Sequence, residues 1–117
     1  MNNIQEIVFE NKEVLIVNNI NRLIQQMLAR YRERSTLDFD FEVEEGKKYY
    51  KIINGYVSED GRIEQRGVHA FVDKKTGDIY KPASWRAPAK GVRFNVLNDV
   101  EMLEKFADWA GGYLYRR

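Results

Sequence analysis

Between Ile16 and Tyr31 the apolar residues Ile16, Ile20, Leu23, Ile24, Met27, Leu28 and Tyr31 recur at intervals of three and four. That spacing makes one face of an amphipathic helix, because about 3.6 residues complete a turn. Upstream, Ile7-Val8-Phe9 and Val14-Leu15-Ile16-Val17 are short apolar runs. Over Ile4 to Val17 they fit either helix turns or a small hairpin, and we take the helix. Arg30, Arg32 and Arg34 stand downstream, where the negative end of the helix dipole favours cations.

After Ser35 the period changes to two. Leu37, Phe39, Phe41 and Val43 alternate with Asp38, Asp40, Glu42 and Glu44, which predicts a strand with one apolar and one acidic face. Glu45-Gly46 supplies a tight turn, and Lys47 to Ile53 reads as an antiparallel partner. Asn54-Gly55 and Glu59-Asp60-Gly61 then punctuate the chain as a loop or a second tight hairpin. Gly67 to Val72 is a further strand, Asp73 to Gly77 a turn, and Ile79 to Lys81 the returning strand.

Both prolines, Pro82 and Pro88, fall between Lys81 and Gly91, so that stretch is read as a loop with room for one helical turn. Asn98 and Glu101 have capping-box spacing, and Val100, Leu103, Phe106, Ala107 and Ala110 follow at helical intervals until Gly111-Gly112. The pattern predicts a single α+β domain over residues 1–117: a small antiparallel sheet of three to four strands with an N-terminal and a C-terminal helix packed on it.

Composition narrows the class. The 117 residues are 44% hydrophobic and 32% charged, with two prolines and eight glycines, as expected of one folded domain. The absence of cysteine excludes disulfides, thiolate metal sites and cysteine nucleophiles, and fits a reducing compartment such as the cytoplasm. Met1 to Glu10 lacks a basic n-region and a long apolar run, so neither a secretory signal nor a membrane partner is expected.

The net charge of +1 hides an uneven distribution. Arg66, Lys74, Lys75, Lys81, Arg86, Lys90 and Arg93 against Asp73 and Asp78 give +5 between Arg66 and Leu97, leaving −4 elsewhere. A homodimer joining the two regions is electrically compatible with that split. From Ile79 to Asn98 there is no acid at all.

That stretch supplies the candidate ligand-binding residues: Lys81, Ser84, Trp85, Arg86, Lys90 and Arg93. Lysine offers point charge, arginine a planar fork for phosphate oxygens, serine a hydroxyl donor, and an indole a face on which a base stacks. The expected partner is nucleic acid or a phosphorylated ligand. The competing reading makes Trp85 and Phe94 anchors that tie a long loop to the core.

Other candidates have bland readings. Asp38, Asp40 and Glu42 share one strand face, a geometry a hard cation accepts, yet they equally form a solvated face pairing with Lys48 or Lys51. His69, the sole histidine, is expected to point opposite to Val68, Ala70 and Val72 and to be a hydrogen-bonded structural residue. No nucleotide-binding glycine loop or catalytic triad is present, so neither enzyme activity nor a cofactor is expected. Tyr113 and Leu114 are expected to pack back on the core, with Arg116 and Arg117 in solvent.

Val68-His69-Ala70-Phe71-Val72-Asp73, Thr76-Gly77-Asp78, Lys81 with Ala83-Ser84-Trp85, Ala87-Pro88-Ala89-Lys90 and Arg93-Phe94-Asn95 follow one another in order. This series resembles a pattern in small uncharacterised proteins of tailed bacteriophages. Glu45 to Ile52 and Ala107 to Arg116 resemble the same group, so the likeness covers roughly the last two-thirds of the chain. The resemblance implies a viral origin and action in the host cytoplasm. It supplies no activity, and it makes docking on a host or viral protein the alternative to anion binding.

Overall fold

A computed structural model describes residues 4–115, with side chains from residue 11 to residue 115. Helix α1 runs without a break over Ile4–Arg32, so the Ile4 to Val17 region is helix and the hairpin alternative falls. Its stripe from Ile16 to Tyr31 is buried throughout. Each such side chain removed from water contributes about 2 kcal/mol, which holds the helix against the sheet far more firmly than its own propensity does. The helix stops where the Tyr31 carbonyl accepts from the amides of Arg34 and Ser35 at 2.9 and 3.0 Å.

Five antiparallel strands follow in simple meander order: β1 (Phe39–Glu45), β2 (Tyr49–Val57), β3 (Ile63–Asp73), β4 (Asp78–Tyr80) and β5 (Phe94–Asn95). The sheet thus has one strand or two more than the pattern predicts, because two-residue β5 is too short to show a period. The period of two in β1 gives the correct faces. Phe39 and Phe41 pack with the core beneath α1, whereas Glu42 and Glu44 share the opposite face with Lys51 and Ile53.

Asn54-Gly55 is not a turn. β2 continues through it to Val57, and the turn comes at residues 58–62, with Gly61 at φ 86°. Gly55 is glycine because β3 crosses it closely: a Cβ there would stand 2.4 Å from Ile63 Cγ2 and 2.6 Å from the Glu64 carbonyl oxygen. Two register shifts mark the β2–β3 ladder. In one, Gln65 takes φ 54°, and in the other His69 is the extra residue between Ala70, opposite Ile52, and Val68, opposite Ile53.

The second bulge corrects the expected direction of His69. Its ring packs on Phe41 and Tyr113 in the core, on the same side as Ala70 and Val72, while Val68 turns to the outer face. A strict alternation has no place for the additional residue.

Helix α2 is shorter than predicted, Val100–Phe106, with Asp99 at its N-cap position. The capping box of Asn98 and Glu101 does not form: the Asp99 carboxylate accepts instead from the Asn95 amide at 2.7 Å. The chain is extended at Ala107, and a 3-10 turn over Gly112–Tyr115 then returns Tyr113 and Leu114 to the core. Arg116 and Arg117 lie outside the described residues. Gln26 donates to the Leu103 and Glu104 carbonyls at 3.0 and 2.9 Å, and Arg30 to those of Glu104 and Ala107. α1 therefore supplies donors to the Glu104 and Ala107 carbonyls at the end of α2, and a second donor to the Leu103 carbonyl, which already accepts from the Ala107 amide at 2.9 Å.

Candidate anion-binding surface

The segment between β4 and β5 is neither an open loop nor a helical turn. Pro82 and Pro88 bridge in antiparallel fashion, and the Ala87 carbonyl accepts from Ala83 and Ser84 at 3.0 and 3.2 Å. The Ala89 amide donates to the Lys81 carbonyl at 2.8 Å, closing a small hairpin whose tip is Trp85-Arg86. Ser84 Oγ accepts from the Arg86 and Ala87 amides, so this hydroxyl is engaged in forming the turn.

The tip folds onto the face of the sheet that α1 leaves open. Lys51 Nζ lies 4.7 Å and Arg66 Cζ 5.4 Å from the centre of the Trp85 ring, which remains 42% exposed. Arg66 is held from its other side by Glu42 and, at 3.0 Å, by Glu44. Ile53 and Phe71, both buried, are the apolar floor of this face. Tyr49 lies edge-on to both Phe71 and Tyr80, each with ring centres 5.9 Å apart, and Lys48 Nζ lies 5.3 Å over Tyr49. Burial first, and then Asp78, pushes the Tyr80 hydroxyl above the usual phenol range and keeps it a neutral donor.

A cleft of about 270 Å³ opens between the start of β2 and the hairpin tip. Lys47, Lys48, Lys51 and Arg86 border it, with Tyr49 and Phe71 as aromatic walls. Its two acids have other partners: Glu44 binds Arg66, and Glu45 binds Lys74 at 2.6 Å. Among the described residues the four bordering cations have no carboxylate within 4 Å. Such a cluster attracts anions, and the aromatic walls favour anions that carry a planar group.

The residues named from sequence divide. Trp85 and Arg86 sit at the tip beside this cleft, and Ser84 shapes the turn beneath them. Lys81 turns away, its Nζ 5.0 Å over the Tyr115 ring. Lys90 is exposed beyond the hairpin, and Arg93 is half-buried with its amide donating to the Ile79 carbonyl at 2.8 Å. The sequence reading missed Lys47, Lys48, Tyr49, Lys51 and Arg66 as members of one surface. The turn of this hairpin is Lys47-Lys48, closed by the Gly46 amide donating to the Tyr49 carbonyl at 2.8 Å, and not Glu45-Gly46 as the sequence suggests, so the register that sets Lys51 opposite Glu44 did not follow from the predicted hairpin.

The other candidates resolve into structure. Arg66, not Lys48 or Lys51, takes the acidic strand's Glu42 and Glu44. Among the described residues no group of three or more acids or histidines is placed to hold a metal. His69 Nε2 lies 2.8 Å from the Tyr113 hydroxyl. Burial pushes its imidazole down to about 4, against the opposing pull of Asp108 and the Trp109 backbone, so the ring is neutral. A larger groove of about 430 Å³ between α1 and α2 presents Asn19 and Gln26, whose amides already serve backbone carbonyls. No helix among the described residues is long and apolar enough to cross a membrane.

These features define a small α+β domain whose sheet is covered by helices on one face and carries a cationic, aromatic surface on the other. The chain belongs to a family of unknown function (DUF7717), whose model matches residues 1–116. No curated protein and no solved structure matches it.

Proposed function

We propose that this is a phage-encoded accessory binding protein, acting in the host cytoplasm, whose open sheet face receives the phosphates of nucleic acid or of a phosphorylated ligand. The observation that carries the reading is the cleft bordered by Lys47, Lys48, Lys51 and Arg86, four cations with no carboxylate partner among the described residues. Arg86 contributes the planar fork, the lysines contribute charge, and Tyr49 with the exposed part of Trp85 offers surface to a base. The phage origin rests on the sequence resemblance alone.

Titration of a fluorescent single-stranded oligonucleotide, with ATP as the small-ligand arm, tests the proposal. Binding weakened at least tenfold in Lys48→Ala/Arg86→Ala supports it. No binding of either probe at low ionic strength removes it. A second reading, docking on a host or viral protein, is favoured by the pairing of Trp85 with Arg86 at one exposed tip, since these residue types dominate interface energetics. A defined partner retained from nuclease-treated lysate and lost with Trp85→Ala, together with no binding of either probe, selects that reading.

A further inference from the structure

Helix α1 carries a second apolar patch, ahead of the stripe buried in the domain. Val14 and Leu15 are 57% and 52% exposed. Leu15 and the buried Ile24 stand nine residues apart, about two and a half turns, and so lie on opposite sides of the helix. α1 begins at Ile4, and among the side chains described, which start at Asn11, the first in the core is Ile16. A helical segment of three turns is marginal in water until something packs against it.

The sequence indicates what does. Asn11 is a centre of symmetry: valines stand three residues to either side, at 8 and 14, and Ile7 and Leu15 stand four residues away. When two antiparallel helices are related by a twofold axis at residue 11, position 11+n of one meets position 11−n of the other. Apolar then meets apolar at both spacings, and the exposed Asn11 amide meets its own copy, the arrangement by which a single polar residue fixes register.

We propose that the leading segment of α1 pairs antiparallel with the same segment of a second copy, about a twofold axis at Asn11, to form a homodimer. The two domains then lie on the outer sides of the helix pair, because the core stripe faces away from the seam. The pairing does not depend on the anion-binding reading. The short seam makes the dimer a reversible one.

The chain lacks cysteine, so single thiols report the geometry directly. Mild oxidation of Asn11→Cys links most of the protein into a covalent dimer. Val14→Cys stays unlinked, because antiparallel pairing separates the two thiols by about 9 Å along the axis, too far for a disulfide. Sedimentation equilibrium of the unaltered chain shows a concentration-dependent dimer, and Leu15→Glu converts it to monomer with an unchanged near-ultraviolet circular dichroism spectrum. A chain that stays monomeric at every concentration overturns the proposal. So does a Val14→Cys that links as readily as Asn11→Cys, which means parallel pairing, or a Leu15→Glu that leaves the dimer intact.

Discussion

The ammonium of Lys51 lies 4.7 Å from the centre of the Trp85 indole, joining β2 to the tip of a hairpin whose residue 85 is 34 positions later in the chain. Arg66 approaches the same ring at 5.4 Å while it binds Glu42 and Glu44, so the hairpin tip rests on an ion-paired base. At a partly exposed site each cation–aromatic contact is worth about 0.5 to 1 kcal/mol. Trp85→Ala therefore lowers unfolding stability by about 1 to 2 kcal/mol in urea titration and leaves the chain folded. A loss above about 4 kcal/mol would mean that the indole is a core anchor, as the competing sequence reading holds.

The His69–Tyr113 pair predicts a pH dependence. In the unfolded chain the imidazole takes up a proton near 6.5, whereas in the fold burial delays uptake to about 4. Below 6.5 the unfolded state binds more protons, so stability is complete above that pH and falls as pH drops through the window down to 4. The slope is about 1.4 kcal/mol per pH unit, or roughly 3 kcal/mol in total. Because His69 is the only histidine, its ring proton resonance can be followed by itself in NMR and should not titrate above about pH 5. Tyr113→Phe leaves Nε2 without its partner and costs about 1 to 3 kcal/mol in the same urea titration at pH 7.

Gly55 predicts a clash with the neighbouring strand, where a turn reading predicts only the cost of placing a side chain at positive φ. Gly55→Ala drives a methyl into Ile63 and the Glu64 backbone and should cost about 1 to 3 kcal/mol, read as a lower thermal midpoint. Gly67→Ala is the comparison: its nearest contact is the Asn54 side-chain oxygen at 3.2 Å, which can give way, so its effect is smaller. Equal midpoints for the two variants contradict the close crossing of β2 and β3.

Arg30 spans the two helices. Its guanidinium donates to the Ala107 carbonyl at 2.7 Å and to that of Glu104, while the neighbouring Arg32 is exposed. Arg30→Met keeps most of the aliphatic stem, removes these charged hydrogen bonds, and is expected to cost about 1 to 3 kcal/mol in chemical denaturation. Arg32→Met is expected to stay within about 0.5 kcal/mol of the unaltered chain.

Where a period ran long enough, the chain disclosed its own structure. Seven apolar positions placed the packed part of α1, and the alternation of Phe39 and Phe41 with acids gave the two faces of β1, although Leu37 precedes the strand and is 65% exposed. Three of the failures share a cause: the deciding contact comes from another element of the fold. Gly55 resembles a turn residue until Ile63 lies against it. His69 turns inward because Ile52 and Ile53 pair with Ala70 and Val68 and leave it between them. α2 stops at Phe106, although the spacing continues to Ala110, where α1 side chains take up the carbonyls of its last turn. The candidate surface was legible only in part for the same reason. Trp85 and Arg86 stand out within an acid-free run, whereas Lys51 and Arg66 reach them only after the hairpin folds over the sheet.

The central claim is that phosphates bind to the open sheet face at Lys47, Lys48, Lys51 and Arg86. The most direct test is the affinity of a labelled single-stranded oligonucleotide, measured by anisotropy across a salt series for the unaltered chain and for Arg86→Ala. The account predicts a linear fall of log affinity with log salt, about −0.7 per phosphate neutralised, and a shallower slope once Arg86 is removed. An affinity that does not change with salt, or a slope identical in the two proteins, contradicts it.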